Sequence, residues 1–178
     1  MPSTAKLIDQ ELAWEKTRDD KVKWFVLRQG AEEWARVRLV RSWGTLAEAR
    51  AANAAWTFKR SGVFHPHVTV RREGQEENLA LFTPSWTGKG YLDFANGRIL
   101  RWQATRSFGR EWAWITGDQE ILMRFQGSPG KCRTRFESAI RSEKDAALLA
   151  ALGHYLIQLI TNDMAAMAAA AGAASAAS

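Results

Sequence analysis

Through most of this chain apolar and polar residues alternate in short runs, and only after Ser142 does the period lengthen to that of a helix. Val22 to Arg28 and Trp34 to Arg41 are two such runs, joined through Gln29-Gly30-Ala31-Glu32. In the second run Ala35, Val37 and Leu39 oppose Arg36 and Arg38, the pattern of a strand with one wet face. Thr45 to Ala55 has the composition of a helix, but Ala47, Ala49 and Ala51 alternate with Glu48 and Arg50. Asn53 then marks a reversal into Trp56-Thr57-Phe58-Lys59-Arg60, so strand, turn and strand are predicted. His67 to Arg72 sets Val68 and Val70 against His67, Thr69 and Arg71, and a further strand follows over Asn78 to Thr83. Tyr91 to Trp102 holds two alternating runs about Asn96-Gly97, the pair that best tolerates the positive φ angles of a type I′ turn. Glu111 to Thr116 returns through Gly117-Asp118 into Glu120 to Phe125, and Cys132 to Ile140 supplies a last strand. Residues 1–20 place Leu7, Ile8, Leu12 and Trp14 among charges of both signs and read as a leader of weak helical character, outside a single domain spanning residues 21–162.

The helix is predicted over residues 143–162, capped by Ser142 with Asp145 three residues on. From Ala146 to Thr161 it carries no charge, and Leu148, Leu149, Leu152, Tyr155, Leu156, Ile157, Leu159 and Ile160 surround its axis. A helix apolar on every face must be enclosed by protein or by lipid. The uncharged stretch is about 24 Å long, short of the ~20 residues needed to cross a bilayer core, and it contains His154 and Gln158. Enclosure by protein predicts a mainly β fold: a closed antiparallel β-barrel of about 11–12 strands around a central hydrophobic C-terminal helix. Residues 163–178, rich in alanine, read as a flexible tail.

Composition supports the β reading, since all 9 tryptophans and all 8 phenylalanines precede the helix and wide rings favour sheet. The net charge is +6, and all but one of the 25 Lys and Arg residues lie before Glu143. Arginine outnumbers lysine, and its planar fork suits phosphate oxygens. The single cysteine, Cys132, excludes an intramolecular disulfide framework, and the mixed charges of residues 1–20 exclude a signal peptide, so a cytoplasmic setting is expected.

The order of elements resembles the tubby C-terminal-like fold, shared by tubby-like proteins, LURP-one-related proteins and phospholipid scramblases, and within it the small bacterial members. The resemblance rests on Trp56 to Arg60, Val68-Thr69-Val70-Arg71-Arg72, Gly97-Arg98 with Trp102, Glu111-Trp112-Ala113, and Leu152-Gly153-His154-Tyr155-Leu156. It implies a closed barrel with a central helix. Tubby-like proteins bind phosphoinositide headgroups through basic residues, but no headgroup-binding pair of that family aligns onto this chain.

Motifs for chemistry are sparse. No phosphate loop, nucleophile elbow or zinc-spaced cysteine pair occurs, and Ser85, Ser107 and Ser128 lack a nucleophile's context, so no catalytic residue, cofactor or metal is assigned. His65 and His67 with Cys132 form a weak metal constellation that Pro66 distorts, and His154 reads as a neutral, hydrogen-bonded core histidine. The remaining polar set is Lys59, Arg60, Arg71, Arg72, Lys89, Arg98 and Arg101: converging at one rim they would form a cationic patch flanked by Trp56, Trp86 and Trp102, and on separate wet faces they would instead cover tryptophan rings and protect strands from edge pairing. The expected function is a non-catalytic binding or scaffold module that meets anionic phospholipid headgroups at the inner face of a membrane. Two alternatives stand beside it: a protein anchored in the bilayer from Ala146 onward, and a module that binds single-stranded nucleic acid through Trp and Arg.

Overall fold

The computed structural model describes residues 7–41, 44–62, 64–85, 87–105, 111–127 and 130–176 of the chain. Twelve strands run in sequence order: β1 (Glu11–Asp19), β2 (Val22–Gln29), β3 (Glu32–Leu39), β4 (Leu46–Ala51), β5 (Ala54–Ser61), β6 (His67–Arg72), β7 (Asn78–Pro84), β8 (Gly90–Phe94), β9 (Ile99–Ala104), β10 (Glu111–Ile115), β11 (Ile121–Gln126) and β12 (Arg133–Phe136). Each pairs antiparallel with its sequence neighbour, and β12 closes on β1 through Leu12 opposite Thr134, so the sheet is a closed barrel with no free edge. Helix α1 (Ala146–Ala176) passes through it.

The alternation in the sequence is the alternation of the wall. Val37, Ala49, Phe58, Val70, Phe82, Leu92 and Trp102 point inward and are buried, while their strand neighbours face out. A ring of twelve strands is too wide for wall side chains to fill, and α1 supplies the missing volume. Its buried turns meet an aromatic layer in which Trp102 stacks on Trp112 at 5.6 Å and packs against Trp114 and Phe125. Trp114 Nε1 donates to the Leu149 carbonyl at 2.9 Å, and the Tyr155 hydroxyl donates to the Thr45 carbonyl. Gly153 lets the Phe125 ring touch the helix backbone, because a Cβ there would lie only 2.3 Å from the ring.

Three expectations are corrected. Residues 11–19 are a barrel strand rather than part of a leader: Leu12 and Trp14 turn inward between exposed Glu11, Ala13 and Glu15, and Glu11, Glu15 and Asp19 belong to the wet strand face. The last strand is shorter than predicted, since a 3₁₀ turn at Ser138–Ser142 follows β12 and buries Ile140. Ser142 is not the helix cap. Its hydroxyl donates to the Ala139 carbonyl, α1 begins at Ala146, and the helix continues through the region expected to be a flexible tail.

Candidate functional site

The two ends of the barrel are fixed by where α1 enters and leaves. At the entry end Arg98, in the β8–β9 turn, donates to both Glu143 oxygens at 2.8 and 2.9 Å and to Asp145 at 2.8 Å. At the exit mouth Arg60, near the end of β5, bonds Asp163 at 2.6 Å. Every position from Leu148 to Leu159 is buried between these clasps, and every described position from Asn162 to Gly172 is exposed.

The seven predicted basic residues do not form one rim. Lys59, Arg60 and Lys89 lie towards the exit mouth, whereas Arg71, Arg72, Arg98 and Arg101 lie in the entry half. The reason is topological: consecutive antiparallel strands end at opposite ends of a barrel, so the ends of β5 and β6 are kept apart. Several of these residues have structural partners, Arg71 on Asn78 Oδ1 at 2.8 Å, Arg98 on Glu143, and Arg101 on Gln119. Trp56 and Trp102 are buried inside the barrel rather than at a rim, and Trp86, Ser107 and Ser128 fall outside the described residues.

Sequence reasoning missed the cations of the β1–β2 hairpin. Lys16 and Arg18 share the strand face of Leu12 and Trp14, and Lys23 shares that of Phe25 and Leu27, so all three occupy inward register beyond the buried core. They are nevertheless exposed, because here the wall rises past the buried part of the helix. Arg18 stands directly opposite Lys23, and Lys21 sits at the hairpin tip with φ 68°, a position where glycine or asparagine is normal. Like charges set opposite one another and a non-glycine residue in left-handed backbone both work against folding stability. The signal was legible in Lys16-Thr17-Arg18-Asp19-Asp20-Lys21-Val22-Lys23, but it lay in the segment read mostly as a leader.

Arg41, Lys59, Lys89 and Lys131 extend the basic surface around the exit mouth, against Asp19, Asp20 and the already paired Asp163. Among the described residues none of Lys16, Arg18, Lys21, Lys23, Arg41, Lys59, Lys89 and Lys131 forms a salt bridge. The wall arginines behave differently. Arg36, Arg38 and Arg50 lie over the outward ring of Trp24 and pair with Glu33, Glu48 and Glu73 respectively. Arg124 pairs with Glu111 and Glu137, and Arg133 with Glu11, in a polar groove across β10, β11, β12 and β1. Those cations are neutralised within the sheet, and the cations of the exit mouth other than Arg60 are not.

Of the seven exposed large apolar side chains among the described residues, five, Val40, Leu46, Phe64, Met164 and Met167, belong to the exit mouth or the helix leaving it, with Phe64 89% exposed, while Tyr91 and Ile99 lie on β8 and β9. Cationic and apolar groups are thus mixed at one end of the molecule.

The interior offers little chemistry. Cys132 faces the core, and burial pushes its thiol up to about 12, while His65 and His67 lie outside near the exit mouth. Among the described residues no group of three His, Cys, Asp or Glu side chains is placed to hold a metal. His154 is fully buried, stacked on Trp14 at 4.3 Å with Phe25 at 4.8 Å, and burial lowers its pKa to about 3. The expected hydrogen bond to it is not seen, since neither ring nitrogen has a partner among the described residues.

No family model, curated protein or solved structure matches the chain.

Proposed function

We propose that this barrel is a non-catalytic binding module, related by architecture to the tubby-like barrels, that associates peripherally with anionic phospholipid surfaces through its exit mouth. The observation that carries the reading is the set of unpaired cations on the β1–β2 hairpin, with Arg18 opposite Lys23 and Lys21 held at the tip in left-handed backbone. An apposed array of phosphate groups would relieve that repulsion and give each cation a counter-charge. Exposed Val40, Leu46 and Phe64 beside the cations fit a surface that is anionic outside and apolar beneath. A cytoplasmic protein that visits the inner face of a membrane is the setting this implies.

The nucleic-acid alternative draws less support, because the described tryptophans, Trp14, Trp24, Trp34, Trp56, Trp102, Trp112 and Trp114, are all buried and offer no stacking platform among the described residues. An anchor beginning at Ala146 is also disfavoured: the barrel encloses that part of α1, and no described helix is long and apolar enough to cross a membrane.

Co-sedimentation of the full chain with vesicles tests the proposal. Binding is expected to vesicles of equal parts phosphatidylglycerol and phosphatidylcholine, to fall steeply with added salt, and to be weak with phosphatidylcholine. The Arg18→Gln/Lys23→Gln double variant should lose most of the binding while unfolding at the same temperature or higher, since it removes a like-charge pair. Equal binding to both vesicle types, or an unaffected double variant, would overturn the reading.

A further inference from the structure

We infer that the part of α1 projecting from the exit mouth, Met164 to Gly172, is a shallow membrane anchor that enters the apolar region of one leaflet while the lysines around its base hold the headgroups. The inference rests on reading the exit mouth as an anionic-membrane surface. Beyond Asn162 and Asp163 the described helix has no charged side chain, and Met164 and Met167 are 62% and 66% exposed. Such a segment meets no wall, yet it stays helical because alanine and methionine are strong helix formers. The methionines lie three residues apart, on one side of the helix, and present a flexible apolar face with nothing in the molecule against it.

Length and charge select the occupant. The helix from Met164 to Ala176 rises about 20 Å, short of an apolar bilayer core of ~30 Å, so the segment enters the bilayer without crossing it. At its base Asp163 is already neutralised by Arg60, and among the surrounding free charges Lys16, Arg18, Lys23 and Lys89 outnumber Asp20. Phe64, at the same end, adds a second apolar contact at headgroup depth. A second copy of the chain fits less well, because pairing two projecting helices along their full length would hold two basic mouths about 20 Å apart, facing each other. An anionic bilayer is apolar where the helix is apolar and negative where the base is positive.

The test uses the full chain with Met164→Cys or Met167→Cys carrying an environment-sensitive fluorophore; buried Cys132 leaves the introduced thiol as the reactive one. On vesicles of equal parts phosphatidylglycerol and phosphatidylcholine the probe should shift to the blue and be quenched by nitroxides placed on the acyl chains. A Met164→Asp/Met167→Asp variant, altered only at exposed positions, should keep its unfolding temperature and bind these vesicles at least about tenfold more weakly. Binding with the probe still in water would overturn the anchor and leave the docking surface standing. No binding to anionic vesicles would overturn both. A blue shift without lipid that grows with protein concentration would assign the segment to self-association and overturn the anchor.

Discussion

Helix α1 has two halves that differ in composition and in burial. From Leu148 to Leu159 it is built of leucine, isoleucine and tyrosine and is buried at every position; from Asn162 to Gly172 it is mostly alanine and methionine and is exposed at every position. Large branched side chains occur where a wide barrel has to be filled, and small or flexible ones where no wall remains to be met. One continuous helix therefore does two jobs, since its first half makes the barrel possible and its second half is free for a surface outside the protein.

The hardest test of that division removes the helix. A chain ending at Ser142 leaves Trp102, Trp114, Phe125 and Phe136 around an empty lumen and should be unfolded, with no cooperative thermal transition by circular dichroism. A folded, soluble truncation would show that the wall stands without its filling.

A smaller but still large effect is expected where the buried half begins. Arg98 reaches Glu143, 6% exposed, and Asp145, and its guanidinium lies 3.8 Å over the Phe94 ring. Arg98→Ala leaves the Glu143 carboxylate sheltered without its counter-charge and should cost about 3 kcal/mol in denaturant unfolding. Arg98→Lys should recover only part of it, because an ammonium cannot span both carboxylates.

Within the buried half, His154 gives a readout in pH. The unfolded chain takes up its proton near the ordinary value of 6.5, while the folded chain resists until about 3. The unfolded state thus binds more protons between those limits, and folding stability falls as pH falls through that window, by about 1.4 kcal/mol per unit. From pH 6.5 to pH 5 the loss is about 2 kcal/mol. His154→Leu also removes two unpartnered nitrogens, so its unfolding free energy should change less with pH over the same range. Parallel curves for the two proteins would mean that the histidine takes up its proton at the same pH in the folded and the unfolded chain.

How much of this could be read from the sequence follows from what each signal depends on. The hairpin at Asn96-Gly97 and the alternation over His67 to Arg72 are local, and both elements stand where periodicity puts them. The apolar helix called for enclosure, and with so many strands ahead of it a closed barrel followed. β1 was missed because Lys16 and Arg18 occupy inward register, which breaks the alternation where the wall outruns the buried core. The helix past Asp163 was missed because alanine runs look the same whether they are helical or unstructured. The basic rim failed for a different reason. Charges at the ends of adjacent strands are neighbours in sequence but belong to opposite ends of an antiparallel barrel, so topology had to be applied before the patch was drawn.

The smallest effect belongs to the clasp where the projecting half begins. Arg60 and Asp163 form a bond of 2.6 Å, as short as any at the entry end, but their side chains are 30% and 49% exposed, and water competes for both. Exposed pairs contribute about 0–1 kcal/mol, so Arg60→Ala should cost no more than about 0.5 kcal/mol, against about 3 kcal/mol for Arg98→Ala. The two arginines are about equally exposed, and the difference comes from the burial of the Glu143 carboxylate and from Arg98 spanning two carboxylates where Arg60 meets one. If Arg60→Ala proved as damaging as Arg98→Ala, the exit mouth would be a structural closure like the entry end, and the projecting half of α1 would no longer be free to leave the barrel surface for a membrane.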